Sequence, residues 1–338
     1  MPNEVGFNFN DAAVMVKEEF EPTFYRTFVR NNVFMELLKP TEETYVEKDI
    51  TWKVYYAGNP AAGSYAENDD IGIDRNDLGE RFDTARLDWK LNGVPIKVSG
   101  LAQAITKSKS AIIDALAENT EQALKQLQAN MNLQSLSDGV GNLNGAHASL
   151  DSTGKDLTGI QAMVDDGGDV GTYAIIDRSV KTWWQSYVLR NPVTPGTARP
   201  ISELLLHQIL NEVRAVRQGK ITHILCSPNV FTQFGLLLGV DRRYTFAPHQ
   251  STQPLRYVGG FEALMFNDVP IISVPLYQEN RMDFIDLDLL KFKMLLDFEI
   301  EPRDAGNKDA SIMFAKTYSQ LQYKNSFMAG SVRDIQTT

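Results

Sequence analysis

The sequence predicts an α+β fold on three observations: a period-two stretch broken by a long acidic excursion, one helical stripe far longer than a compact domain needs, and a later region where helices and strands alternate. With 338 residues, 43% of them hydrophobic, the chain has enough apolar surface for two or three core-bearing units. No run approaches the roughly 18 apolar residues of a membrane span, and the start MPNEVGFNFND lacks the basic end and apolar centre of a signal peptide.

Taken in order, residues 11–38 place Phe20, Phe24, Phe28, Val33 and Leu37 at three- to five-residue steps, which predicts helix interrupted near Pro22 within an N-terminal arm over 1–41. Ile50, Trp52, Val54 and Tyr56 then alternate with Thr51, Lys53 and Tyr55, and Leu87, Trp89 and Leu91 alternate with Arg86, Asp88 and Lys90. These are expected to be the two strands of one hairpin spanning 42–98. The stretch between them carries Glu67, Asp69, Asp70, Asp74, Asp77, Glu80 and Asp83 against Arg75 and Arg81. Loops beyond about 12–15 residues are uncommon in compact domains and are usually functional. At about 3.3 Å per residue, roughly 15 residues carry such an arm about 50 Å. An isolated hairpin is marginal in water, so its Trp and Tyr face needs cover from this chain or from another copy.

From Ser99 to Ser137, Ile105, Ile112, Leu116, Ala123, Leu127 and Met131 form one stripe, predicting a helix about 54 Å long that stops at Asp138-Gly139. After the connector GVGNLNGAH comes TGIQAMVDDGGDVGTYAIIDRSVKTWWQSYV. Its adjacent Trp183 and Trp184 cannot both face one side of a helix, so the segment needs packing neighbours on more than one face, with Tyr187 among the packed residues. Pro192, Pro195 and Pro200 mark a boundary, and an α/β unit over 200–289 follows. In it, ISELLLHQILNEVRAV reads as amphipathic helix, KITHILCS as strand, PNVFTQFGLLLG as helix, and ALMFNDVPIISV and RMDFIDL as strands. The alternating residues of 290–338 are expected to return as strands to an earlier layer.

The net charge of −10 argues against gripping nucleic acid, which relies on clustered Lys and Arg. His147, His207, His223 and His249 form no ligand spacing with one another or with Cys226, which reads as a small buried hydrophobe. GVGNLNG follows a helix where a dinucleotide loop requires a strand, and DSTGKD matches neither an SxxK pair with its partner motifs nor a phosphate loop. The acidic clusters, DDGGD included, lack calcium-loop spacing and read as solvated loops. No catalytic, cofactor or metal residue is nominated, and no cofactor or enzymatic activity is expected.

In its order of parts the chain resembles the major capsid proteins of tailed double-stranded DNA phages, which share the Hong Kong 97-type shell fold. The lead TGIQAMVDDGGDVG followed by Ile-Asp-Arg-Ser (176–179) and the Trp pair is similar to a recurring segment of that family. The resemblance implies an N-terminal arm (1–41), an extended β-hairpin or E-loop (42–98), a peripheral domain (99–199) with its spine helix at 99–137, an axial domain (200–289), and returning strands of the peripheral domain (290–338). It implies self-assembly into hexamers and pentamers of an icosahedral virion head that encloses DNA, with assembly in the host cytoplasm. Trp183, Trp184 and Tyr187 would then pack at the domain junction, under the spine helix. The E-loop strands, with Trp52, Val54, Tyr56, Leu87 and Trp89, would find their missing cover on a neighbouring subunit. The tip residues Glu67, Asp69, Asp70, Asp74, Arg75, Asp77, Glu80 and Arg81 would seek basic partners, for which Arg242, Arg243, Lys291 and Lys293 are candidates.

Some members cross-link through an E-loop lysine, and the stretch 60–83 contains none. An arm that starts almost at Met1 leads to the expectation of a separate scaffolding protein, together with a portal and decoration proteins; DNA would be touched only weakly, and no membrane is involved. Two alternatives are an encapsulin-type nanocompartment of the same fold and a dimeric α/β enzyme with the hairpin as its dimerisation arm.

Overall fold

A computed structural model describes residues 5–7, 33–38, 42–44, 46–57, 64, 67, 81–101, 104, 115–143, 149–192, 194, 196–237, 263–304, 306 and 309–336. The strands in chain order are β1 (Val5–Phe7), β2 (Glu42–Thr44), β3 (Ile50–Tyr55), β4 (Phe82–Leu87), β5 (Lys90–Ser99), β6 (Thr172–Tyr173), β7 (Ile176–Asp177), β8 (Tyr187–Leu189), β9 (His223–Cys226), β10 (Ala263–Phe266), β11 (Val269–Ser273), β12 (Met282–Ile285), β13 (Leu290–Arg303), β14 (Ala310–Tyr323) and β15 (Gly330–Val332). Helices occupy Val33–Leu38, Ala115–Leu136, Ile160–Met163, Glu203–Asn211 and Pro228–Leu237. No described helix is long and apolar enough to cross a membrane.

Two sheets organise these elements. The first is five-stranded in the order β1-β5-β14-β13-β2, and the second six-stranded in the order β10-β11-β9-β12-β15-β8. In the first, β14 pairs antiparallel with β5 from Ala310↔Ser99 to Ser319↔Lys90 and with β13 along its other edge. The Ala115–Leu136 helix buries Ala123, Leu127 and Met131 in the core shared with this sheet, so that part of the predicted stripe faces inward. Residues 105–114 of the expected helix, with Ile105 and Ile112, lie outside the described residues. Of the interrupted helix expected over 11–38, residues 11–32 also lie outside; at its end, Val33–Leu38 is helical and buries Val33, Phe34, Leu37 and Leu38.

The second sheet has its own core, in which Leu206, Ile209 and Leu210 of one helix and Val230 and Phe234 of the other pack with β9, β11 and β12. Ser202 caps the first of these helices, its hydroxyl accepting from Leu205 N, and Glu212–Val216 continue it as a π-helical turn. Asn267 and Asp268, both at positive φ, make the tight turn between β10 and β11; their short polar side chains tolerate that geometry.

Three sequence expectations need correction. The alternation through Leu87, Trp89 and Leu91 is not one strand: β4 ends at Leu87, Asp88 and Trp89 form a break, and Leu91 belongs to β5 in the first sheet. The hairpin is therefore only β3 and β4. The tail does not return as a whole to the earlier layer. After β14, β15 pairs with β12 and β8 in the second sheet, because its Gly-Ser-Val run slots beside Ile209 and Val213, where Gly330 admits no Cβ without a clash. Finally, Asp165 of DDGGD is not a solvated loop acid, for reasons given below.

Candidate functional site

The hairpin pairs Ile50 with Leu87, Trp52 with Ala85 and Val54 with Asp83 on one face, and Thr51 with Arg86, Lys53 with Thr84 and Tyr55 with Phe82 on the other. Directly opposed residues of an antiparallel pair share a face. On the first face Ile50, Val54, Ala85 and Leu87 are buried in the chain's own core, with Trp52 and Trp89 packed against it. Trp52 Nε1 donates to Lys324 O at 2.9 Å and Trp89 Nε1 to Glu47 O at 2.9 Å. The expectation that a neighbour must cover this face is thus corrected: within one subunit it is sheltered at the root. The second face is open along its length, and at its far end Tyr55 and Phe82, 62% and 60% exposed, stand side by side. Lys53 Nζ lies 5.6 Å from the Phe82 ring centroid.

Tyr56 follows β3 and keeps the ladder going, its N donating to Arg81 O at 2.9 Å. Its ring stacks on Trp183, with centroids 4.3 Å apart and planes 11° off parallel. Trp183 and Trp184 sit in a short 3-10 turn, Thr182–Trp184, and meet edge-on at 5.8 Å. Trp184 is fully buried and donates from Nε1 to Tyr173 O at 3.1 Å. The two adjacent indoles thus face different neighbours, one the hairpin and the other the core. Tyr187 lies apart from them, opening β8, where it faces the Arg217 guanidinium at 5.5 Å.

Of the acidic tip, Glu67 is described and exposed and Arg81 is half-buried, while Asp69, Asp70, Asp74, Asp77, Glu80 and Arg75 lie outside the described residues. Arg242 and Arg243 do too. Lys293 is buried in β13, opposite Glu43 of β2 and Gln320 of β14. Lys291 is half-buried, and both lysines already interact within the chain.

Sequence reasoning missed a buried ionic junction between the two sheets. Asp165 is fully buried: Oδ2 accepts from the N–H groups of Gly167, Asp169 and Val170, while Oδ1 pairs with Arg333. Arg333 also meets Asp169, and Arg190 forms a fork on Asp166. Arg281 binds Asp283 from Nε at 2.7 Å and the Val164 carbonyl from Nη2 at 2.6 Å. Tyr277 donates to Asp283 as well. Arg178, from the Ile-Asp-Arg-Ser motif, donates to the carbonyls of Met163 (2.8 Å), Val170 (3.1 Å) and Trp184 (3.4 Å).

Burial pushes the Asp165 carboxyl up, but the Arg333 charge and hydrogen bond, the Val170 N–H and Arg178 outweigh it and hold the group below its ordinary value. Burial lowers Arg178 to about 10, which leaves it charged at neutral pH. Such groups are tolerated inside because each is paired or hydrogen-bonded. The sequence signal was slight: Arg281 and Arg333 each sit at the end of a short strand-like run, Met282–Ile285 and Gly330–Val332.

Elsewhere the chemistry is that of packing. Cys226 is buried, and burial raises its thiol out of the reactive range. Among the described residues no group of His, Cys, Asp or Glu is arranged to hold a metal ion.

A model of the SU10 major capsid protein family matches residues 5–336. Comparison with curated protein sequences found no match. Among solved structures the fold is similar to a chain of the cyanophage A-1(L) capsid asymmetric unit, with 16% identity, 94% of this chain and 96% of that one covered, and a TM-score of 0.69. It is also similar to the capsid of a native GTA particle (10% identity, 96% of each chain, TM-score 0.61). A third likeness is to the SrpI encapsulin of Synechococcus elongatus (9% identity, 98% and 97% covered, TM-score 0.59).

Proposed function

This chain belongs to the SU10 major capsid protein family, structural shell proteins rather than enzymes, and from that premise we propose that it closes into an icosahedral head of hexamers and pentamers in which each hairpin docks on a neighbouring subunit through its outer face. One observation carries the docking: Tyr55 and Phe82 are paired across β3 and β4, more than half exposed, on the face turned away from the chain's own core. Two aromatic rings side by side on the open face of a hairpin suit the centre of an interface, where such residues supply most of the binding energy. The subunit surface that receives them is heterologous, and repeated heterologous contact closes rings.

The acidic tip extends the same interface toward basic side chains of the neighbour, and salt weakens that part of the contact. Packaged DNA meets a chain of net charge −10 and is held only loosely. Scaffolding, portal and decoration proteins complete the assembly, which takes place in the host cytoplasm.

Size-exclusion chromatography with negative-stain microscopy tests the docking. The parent chain elutes in the void volume as round particles, and Tyr55→Ser/Phe82→Ser elutes as small oligomers. Normal particles from the double variant would remove the outer face from the interface. The encapsulin likeness allows the same architecture around a protein cargo; nucleic acid inside particles from infected cells distinguishes the two.

A further inference from the structure

We propose that Trp183 is a positioning residue: with the Ala174–Ile175 turn it clamps the β3–β4 hairpin along its described length and fixes the direction in which the arm leaves the subunit before any neighbour is met. The inference rests on the hairpin being the docking arm.

The clamp has contacts at three heights along the hairpin. Nearest the first sheet, Arg86 N in β4 donates to Ala174 O at 3.1 Å, outside the β3–β4 ladder itself. Midway, Lys181 Nζ stands 3.6 Å from Asp83. Furthest out, Tyr56 stacks on Trp183. A two-stranded ribbon held at one height can pivot; held at three it cannot without breaking a contact. From Ile50 to Tyr55 the arm spans about 17 Å, so a pivot of roughly 15° at the root would carry the Tyr55–Phe82 pair about 4 Å. A close-packed interface does not absorb such a displacement.

The body side of the clamp is rigid in its turn. Trp183 abuts Trp184, which is buried and bonded to Tyr173 O, and Arg178 ties the Trp184 carbonyl to the ionic junction. Ala174 and Ile175, at the tip of the β6–β7 hairpin, have φ of 53° and 63°. That left-handed region is unfavourable for a β-branched residue, and Ile175 adopts it with its side chain 66% exposed. The distortion presents the Ala174 carbonyl to Arg86. Strain held at a contact point, with no packing return for the isoleucine inside the subunit, is the pattern of a residue kept for geometry.

The test uses the full chain with Trp183→Ala, Trp183→Phe and Ile175→Gly. Hydrogen exchange on the unassembled chain follows residues 50–56 and 82–87 against the body segments 115–136 and 223–226, and microscopy follows particle diameter. In Trp183→Ala, exchange in the hairpin rises at least about tenfold while the body segments stay as in the parent, and particles become heterogeneous in diameter. Trp183→Phe restores both, and Ile175→Gly, which relieves the turn, gives the smaller change. Hairpin exchange at the parental rate in Trp183→Ala, or uniform particles despite faster exchange, overturns the clamp. Equal acceleration in the body segments overturns it too, as a general loss of stability. The docking proposal fails separately, through normal assembly of Tyr55→Ser/Phe82→Ser.

Discussion

The junction between the sheets and the root of the hairpin are both built on the segment from Met163 to Trp184, yet from opposite materials. At the junction, charges are stripped of water and each must keep its partners; Asp165 alone answers to Arg333 and three backbone N–H groups. Along the hairpin, an aromatic stack and an ion pair about a third exposed hold a ribbon whose outer face remains open. A buried ionic joint is close to all-or-none, because removing one member leaves the others uncompensated. An aromatic joint at an edge yields by degrees. The difference suits the proposed assembly, in which the body is invariant while the arm meets neighbours in more than one setting.

The largest expected effect breaks the junction. Asp165→Ala strands Arg333 and three N–H donors, and costs about 3–5 kcal/mol in urea unfolding of the unassembled chain. A loss below about 1 kcal/mol would mean the network contributes packing only.

A second measurement sharpens the contrast through pH. Burial lowers His223, at the start of β9, to about 4, with Asp288 opposing, so the folded chain keeps it neutral. Its contribution is complete above the unfolded value of about 6.5 and is lost as pH falls from there toward 4. Asp165 stays ionised through that window, since its carboxyl is held below the ordinary value. His223→Gln should therefore flatten a decline of about 1–3 kcal/mol between these limits, discounted for partial exposure. Asp286, raised by burial, runs the other way and is unaffected by the substitution. An unchanged pH profile in His223→Gln would assign the slope elsewhere.

The smallest effect belongs to the hairpin. Lys181→Ala removes the ion pair with Asp83, whose partners are each about a third exposed, and should lower the unfolding free energy by no more than about 0.5 kcal/mol. A larger loss would place the arm's root in the same energetic class as the junction and erase the distinction.

What was legible in the sequence was local. Alternation marked β3 and β4, and an amphipathic pattern marked Glu203–Asn211, whereas the turn at Asn267–Asp268 inside ALMFNDVPIISV went unread. The break at Asp88 and Trp89 was not legible either, because an apolar alternation continues through it and only partner choice separates β4 from β5. Asp165 could not be told from a loop acid, since Arg333, the charge that pairs with it, lies 168 positions away. For the candidate site, the Trp pair's need for two sets of neighbours was foreseeable from adjacency alone. That one of those neighbours is Tyr56 was not, for the stack depends on where the hairpin lands.

The placement of β15 and Arg333 bears on how the molecule is made. Every strand these residues join, and Asp165 itself, precedes them in the chain. During translation the two sheets can each begin to collapse, but their union waits until residue 333 has left the ribosome tunnel. Until then a nascent subunit has no finished body to present to its siblings.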